Sequence, residues 1–199
     1  MPIDDLSSRP APSLDIELIE VTDWGLPTSD ILTRLTAEIS WRQERITLFG
    51  KTHLQPRLLC WMGDPGCSYL YSGVRHEPEP WHELVTVLRI RVEGLTGAHF
   101  NSVLLNHYRD GGDSMGFHAD DEPELGDQPT IASLSFGAAR IMHFRHRHDS
   151  DVPTQRIALH DGSLLIMGPT VQRDWKHAIP KTRQAVSPRI NLTFRQIVR

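Results

Sequence analysis

The chain has 199 residues, is 39% hydrophobic and 23% charged, and carries a formal net charge of −4, which suits one globular domain with a sizeable core. No apolar run approaches the roughly 18 residues of a membrane span, and the start, MPIDDLSSRPAP, lacks the basic and apolar stretches of a secretory signal. The charge gives no global pull toward polyanions, so a nucleic-acid partner needs a local basic patch. Cys60 and Cys67 fit reduced thiols rather than a disulfide framework.

Residues 1–20 read as a loose lead-in containing proline and serine. A helix is expected to start at Thr28-Ser29-Asp30, residue types that cap helices. Ile31, Leu32, Leu35 and Ile39 follow at helical spacing and form its buried stripe. Between 46 and 73, short apolar runs alternate with glycine and proline, which predicts hairpins and loops. A second helix is expected after Pro80, with Leu84, Val87, Leu88 and Val92 as its apolar face and Gly94 and Gly97 at its end. From Phe100 onward the chain breaks into short candidate strands: NSVLLNHY, TIASLSFG, RIMHFRH, QRIALH, SLLIMG and RINLTFRQIV. No helical segment of useful length separates them, so antiparallel pairing in a barrel or jelly roll is predicted.

The chemistry concentrates in these strands. His118 and Asp120 stand two apart in F-H-A-D-D, and i and i+2 of an extended segment point to one side. His177, in D-W-K-H-A-I-P, closes the set from another strand. Two imidazoles and a carboxylate on one face leave the opposite positions of a metal open, as in non-haem iron(II) oxygenases. Taken alone, His-X-Asp fits a surface loop with a chance histidine better; the surrounding features reverse that. In R-I-N-L-T-F-R, Arg189, Asn191, Thr193 and Arg195 share one strand face and Ile190, Leu192 and Phe194 the other. Two arginines on one face are costly to bury without anions, and a dicarboxylate beside the metal satisfies them. The alternative is a solvated face paired with surface acids. Asn106 and Tyr108 share a face and add hydrogen bonds to the same ligand. His143, His146 and His148 read as a solvated strand edge touching phosphates, not as a metal cluster. His107, Trp81 and Trp175 read as structural.

N-H-Y-R-D-G-G-D (106–113), G-F-H-A-D-D-E (116–122), S-L-S-F-G-A-A-R (133–140), H-D-G-S-L-L-I-M (160–167), H-A-I-P (177–180) and P-R-I-N-L-T-F-R (188–195) together resemble the AlkB family of nucleic-acid dioxygenases. The resemblance is strong over 100–199 and looser over 46–99, and it points to the animal homologue that repairs alkylated duplex DNA.

It implies a mostly β fold with flanking helices, a double-stranded β-helix (jelly-roll) core. An N-terminal extension and helix would occupy 1–45, a nucleotide-recognition lid 46–80, and the catalytic core 81–199. It implies iron(II) on His118, Asp120 and His177, and 2-oxoglutarate on Asn106, Tyr108, Arg189, Thr193 and Arg195, with O2 as co-substrate. In the lid, Phe49, Gly50 and Lys51 resemble a hairpin that wedges a base stack, with Arg57 a further phosphate contact. Tyr69, Tyr71 and Ser72 resemble a damaged-base pocket, and Asp121 and Glu122 lie at its rim. The implied reaction removes N-alkyl groups from DNA bases as formaldehyde while 2-oxoglutarate becomes succinate and CO2. The alternatives are an RNA demethylase, a 2-oxoglutarate hydroxylase of a protein or small molecule, and a non-catalytic binder of damaged nucleic acid. The expected partner is alkylated DNA, with RNA second. A monomer away from membranes is expected, near the nucleoid of a bacterium or in a eukaryotic nucleus.

Overall fold

Period-two alternation in the second half of the chain builds two antiparallel sheets in the computed structural model, which describes residues 13–48, 51–67, 69–71 and 74–198. The larger sheet runs β1 (Ile16–Glu20), β12 (Ser163–Met167), β9 (Ile131–Gly137), β14 (Arg189–Arg195), β7 (Ser102–Tyr108) and β4 (Leu58–Gly63). The smaller runs β11 (Gln155–Leu159), β10 (Arg140–His146), β13 (Trp175–Ile179) and β8 (Met115–His118). Two hairpins stand apart, β2 (Arg45–Leu48) with β3 (Lys51–Leu54) and β5 (Tyr69–Tyr71) with β6 (Val74–His76). The helices are α1 (Thr28–Glu38), α2 (Glu83–Thr96) and the short α3 (Pro169–Asp174). This is the mostly β, jelly-roll architecture expected. Among the described residues no helix is long and apolar enough to cross a membrane.

The central strand β14 explains the layering. Ile190, Leu192 and Phe194 are fully buried in one core with Ile31 and Leu35 of α1 and Leu88 of α2. Alternation then turns Arg189, Asn191 and Thr193 toward the smaller sheet. Each fully buried aliphatic or aromatic side chain contributes roughly 1.5–3 kcal/mol, so this inward apolar row fixes the register that aims the polar row.

The helices differ from expectation in detail. Pro27 holds the N-cap position of α1 with no side-chain cap. Thr28 is already helical, and its hydroxyl donates instead to Asp161 Oδ2 at 2.6 Å. In α2 the buried face is Leu84, Val85, Leu88 and Val92, while Val87 is 44% exposed. Gly94 lies inside the helix. Gly97 ends it with φ 68°, its N–H donating to Glu93 O, a left-handed cap that favours glycine. Gly137 closes β9 at φ 91°, where a Cβ would sit 2.4 Å from Pro188 O.

One strand was not legible, and two that the metal ligands implied, β8 and β13, were not delimited in the strand pattern. Residues 16–20 are not loose but pair along their length with β12 as β1. β8 holds a glycine and β13 a lysine, both strands are short, and each is completed by a partner: β13 lies between β10 and β8.

Candidate metal and co-substrate site

β8 and β13 pair with His118 directly opposite His177, which brings the two rings to a centroid distance of 4.2 Å. Asp120 follows just beyond the end of β8. Its Oδ1 lies 3.9 Å from His118 Nε2 and its Oδ2 3.9 Å from His177 Nε2, and one ligand atom from each residue falls within 4.8 Å of the others. Since β8 stops at His118, no strand ladder holds Asp120. Its backbone N–H donates instead to Gln172 Oε1 of α3 at 2.9 Å, and its Oδ1 accepts from Arg195 Nη2 at 2.7 Å. His118 Nδ1 lies 2.9 Å from Gly116 O. A carbonyl only accepts, so Nδ1 carries the proton and Nε2 keeps its lone pair for the centre.

The electrostatics suit a cation. Burial, with His118 adding to it, pushes His177 down to about 3, so its imidazole is neutral. Burial pushes Asp120 up, but the Arg195 guanidinium beside it leads the effects that outweigh burial and hold the carboxyl at about 2. A neutral imidazole and an ionised carboxylate are the states a metal ligand needs. Asp120 Oδ2 is buried with no hydrogen-bond partner. His177 and Asp120 are buried and His118 is partly exposed, which leaves the approach on the His118 side.

The adjoining cavity is lined by Asn106, Tyr108, Ser133, Asn191 and Thr193 of the larger sheet and by Met115, His118, Met142 and His177 of the smaller. Arg189 is 1% exposed. Its Nη2 donates to Ser135 Oγ at 2.9 Å, its Cζ lies 5.2 Å from the Tyr108 ring centroid, and its Nε and Nη1 are buried with no partner. Burial pulls this guanidinium down to about 10. Asn191 is occupied, donating to Ser133 Oγ and Leu134 O and accepting from Thr193 Oγ1. Arg195 lies at the Asp120 end of β14, away from Arg189. The residues fit their expected ligands. Three convergent N and O donors suit iron(II), and two unmatched guanidinium donors at a buried position suit a carboxylate.

The substrate side is less covered. Phe49, Gly50 and Ser72 lie outside the described residues, as do the side chains of Lys51, Tyr69 and Tyr71; the backbone of these last three falls in β3 and β5. Leu48 pairs with Lys51. Asp121 is exposed and ion-paired to Arg147 at 2.7 Å, and Glu122 precedes a 3-10 turn at Pro123–Leu125. Arg57 is not a surface contact for phosphates: it is 8% exposed, and its Nε donates to Asn106 Oδ1 at 2.7 Å. His146 packs against Trp175, ring centroids 5.1 Å apart, and among the described residues His143, His146 and His148 form no metal-holding group. His107 is buried against Trp41. Trp81 Nε1 donates to Asp64 Oδ1 at 2.7 Å, and both cysteines are free and buried.

Sequence reasoning missed Ser133, Ser135, Gln172, Arg140 and the inward turn of Arg57. The serines had a signal, two small polar residues at period two inside an apolar strand, facing β14 in register. Gln172 had none, because only the packing of α3 brings it to Asp120. Arg140, 5% exposed, donates to the carbonyls of Asp113 and Pro180 and ties two loops beside Tyr108.

Comparison with known proteins bears on this geometry. Residues 27–195 match the family described as the 2OG-Fe(II) oxygenase superfamily. The human protein named alpha-ketoglutarate-dependent dioxygenase alkB homolog 3 is 40% identical over 187 residues, covering 90% of this chain and 63% of that protein. The human DNA oxidative demethylase ALKBH2 is 42% identical over 160 residues, covering 77% and 61%. The Arabidopsis thaliana protein of the same name is 35% identical over 189 residues, covering 82% and 60%. The chain therefore spans about three fifths of the length of these relatives. A solved structure described as "The structure of OsALKBH1" superposes with a TM-score of 0.62 at 19% identity, covering 93% of this chain and 99% of that one, which bears on the fold alone.

Proposed function

This chain belongs to the 2OG-Fe(II) oxygenase superfamily, and from that premise we propose that it removes N-alkyl groups from DNA bases as a repair enzyme. The observation that carries the proposal is the His118–Asp120–His177 centre, whose two histidines line one cavity with Asn106, Tyr108 and Thr193, and beside Tyr108 the buried, partly unmatched guanidinium of Arg189. The DNA substrate is supported by the relatives that bear the name DNA oxidative demethylase.

Iron(II) and 2-oxoglutarate, when bound, supply with O2 the oxidation that puts a hydroxyl on the N-methyl carbon and turns 2-oxoglutarate into succinate and CO2. The hydroxymethyl group then leaves as formaldehyde and the base is restored. The protein's part is placement and exclusion of water. Arg189 would hold a carboxylate of the co-substrate through its unmatched donors, with Asn106, Tyr108 and Thr193 as further contacts. Arg195 keeps Asp120 ionised and oriented. The buried Met142 and Ile179, with the partly buried Met115, keep the centre dry. A base in a duplex cannot reach this centre, so it is flipped out at a cost of a few kcal/mol, least for a damaged and poorly paired base.

A local basic face complements the acidic chain. On the smaller sheet, Arg145 lies opposite Lys176, Arg156 lies on the neighbouring strand, and Arg145 stacks over Phe117 with Cζ 4.2 Å from the ring centroid. Like charges facing across strands are unfavourable by themselves, and phosphates relieve them. Phe49, Gly50, Lys51, Tyr69, Tyr71, Ser72, Asp121 and Glu122 are the proposed substrate contacts. The enzyme acts as a monomer, with the DNA in nucleoid or nucleus. Mass spectrometry of methylated single- and double-stranded oligonucleotides after incubation with iron(II) and 2-oxoglutarate tests this. Demethylated DNA with matching succinate supports it, and succinate formed without any change in DNA or RNA points to another substrate.

A further inference from the structure

Arg57 lies in Gln55-Pro56-Arg57, the stretch that leads from the β2–β3 hairpin into β4. An arginine 8% exposed is rare without partners that account for it. Its Nε donates to Asn106 Oδ1 at 2.7 Å and its Nη1 to Ser114 O at 3.4 Å, while the Ser114 N–H donates back to Pro56 O at 2.8 Å. Asn106 is fixed in backbone by ladders on both sides, opposite Leu59 of β4 and Asn191 of β14. What remains free is the direction of its amide.

A side-chain amide has an acceptor end and a donor end. A guanidinium N–H binds only an acceptor, so Arg57 claims Oδ1. The amine end is then left for the cavity that Asn106 lines. The two orientations differ in sign toward an anion, since the amine donates to a carboxylate and the oxygen repels it. We propose that Arg57 is a positioning residue that fixes the Asn106 amide with its donors toward the co-substrate cavity, and so sets the preference of that wall for a carboxylate. This rests on reading the cavity as the 2-oxoglutarate site.

The test is a double-mutant cycle read by binding rather than turnover. 2-Oxoglutarate is titrated calorimetrically into the Mn(II)-loaded full chain, without oxygen, for wild type, Arg57→Met, Asn106→Ala and the double variant. Arg57→Met is expected to weaken binding about tenfold, the scale of one hydrogen bond to a charged group, with Mn(II) affinity unchanged. Asn106→Ala should lose a similar factor. The double variant should be no weaker than Asn106→Ala, because without the amide Arg57 has nothing to orient. Full affinity in Arg57→Met, or losses that simply multiply in the double variant, would overturn the proposal. Full affinity in Asn106→Ala would overturn it too by removing the amide from the site, whereas Arg189→Met tests the co-substrate reading independently. If Arg57→Met melts below the working temperature, Arg57→Lys carries the same comparison. One ammonium cannot span Asn106 and Ser114 as the guanidinium does, so a smaller loss is expected, again absent in the Asn106→Ala background, and wild-type affinity in Arg57→Lys would count against the idea.

Discussion

Replacing Arg189 with methionine should move affinity and stability in opposite directions. In the folded chain the guanidinium is 1% exposed, with one donor satisfied by Ser135 and two donors, Nε and Nη1, unmatched. Burial, with the neighbouring Arg140 adding to it, drags it down to about 10, which at about 1.4 kcal/mol per pH unit places on the order of 3 kcal/mol against the charged form. Methionine has a similar length and no charge. The protein without co-substrate should therefore keep its melting temperature or gain a few degrees, as when buried charges give way to apolar groups. Binding of 2-oxoglutarate should lose about 2–5 kcal/mol, the scale for stranding one partner of a buried charge pair, or roughly thirty- to several-thousand-fold in affinity. Titration with 2-oxoglutarate and thermal melting, each with and without co-substrate, read both quantities. Unchanged affinity together with a large loss of stability would show that Arg189 is structural and that the carboxylate lies elsewhere.

His177→Ala should abolish turnover and iron binding while far-ultraviolet circular dichroism stays native; normal iron content in that variant would break the metal assignment. Gln172→Met removes the acceptor for the Asp120 N–H and should weaken iron(II) affinity about tenfold, as outer partners of metal ligands do, which competition with a chelator measures. Asp121→Asn removes the charge that faces Arg147 and should change the ranking of methylated bases with iron content intact; loss of iron there would mean that Asp121 supports the centre. Phe49→Ala should slow repair of a duplex lesion more than of the same lesion in a single strand, since only a duplex has a gap to fill; equal losses on both would assign Phe49 to packing.

Two kinds of information were readable from the residues alone. One was strand patterning: the alternation in R-I-N-L-T-F-R follows from the two-residue repeat of a strand, so the apolar row Ile190, Leu192 and Phe194 and the polar row Arg189, Asn191 and Thr193 fall on opposite faces wherever the strand sits. The other was motif identity, because the resemblance carried by G-F-H-A-D-D-E, H-A-I-P and P-R-I-N-L-T-F-R led to the superfamily whose model matches residues 27–195. Tertiary structure decided the rest. β1 forms because β12 offers it an edge, and no local preference of I-E-L-I-E announces that pairing. Val85 displaces Val87 from the core because the direction of a helix's apolar stripe is set by what it packs on. Arg57 reads as a surface cation until the hydrogen bonds are traced, since inward and outward turns of a long charged side chain look alike in sequence. Gln172 reaches Asp120 across 52 positions of chain, a distance over which only the folded packing of α3 against the metal loop can specify a partner.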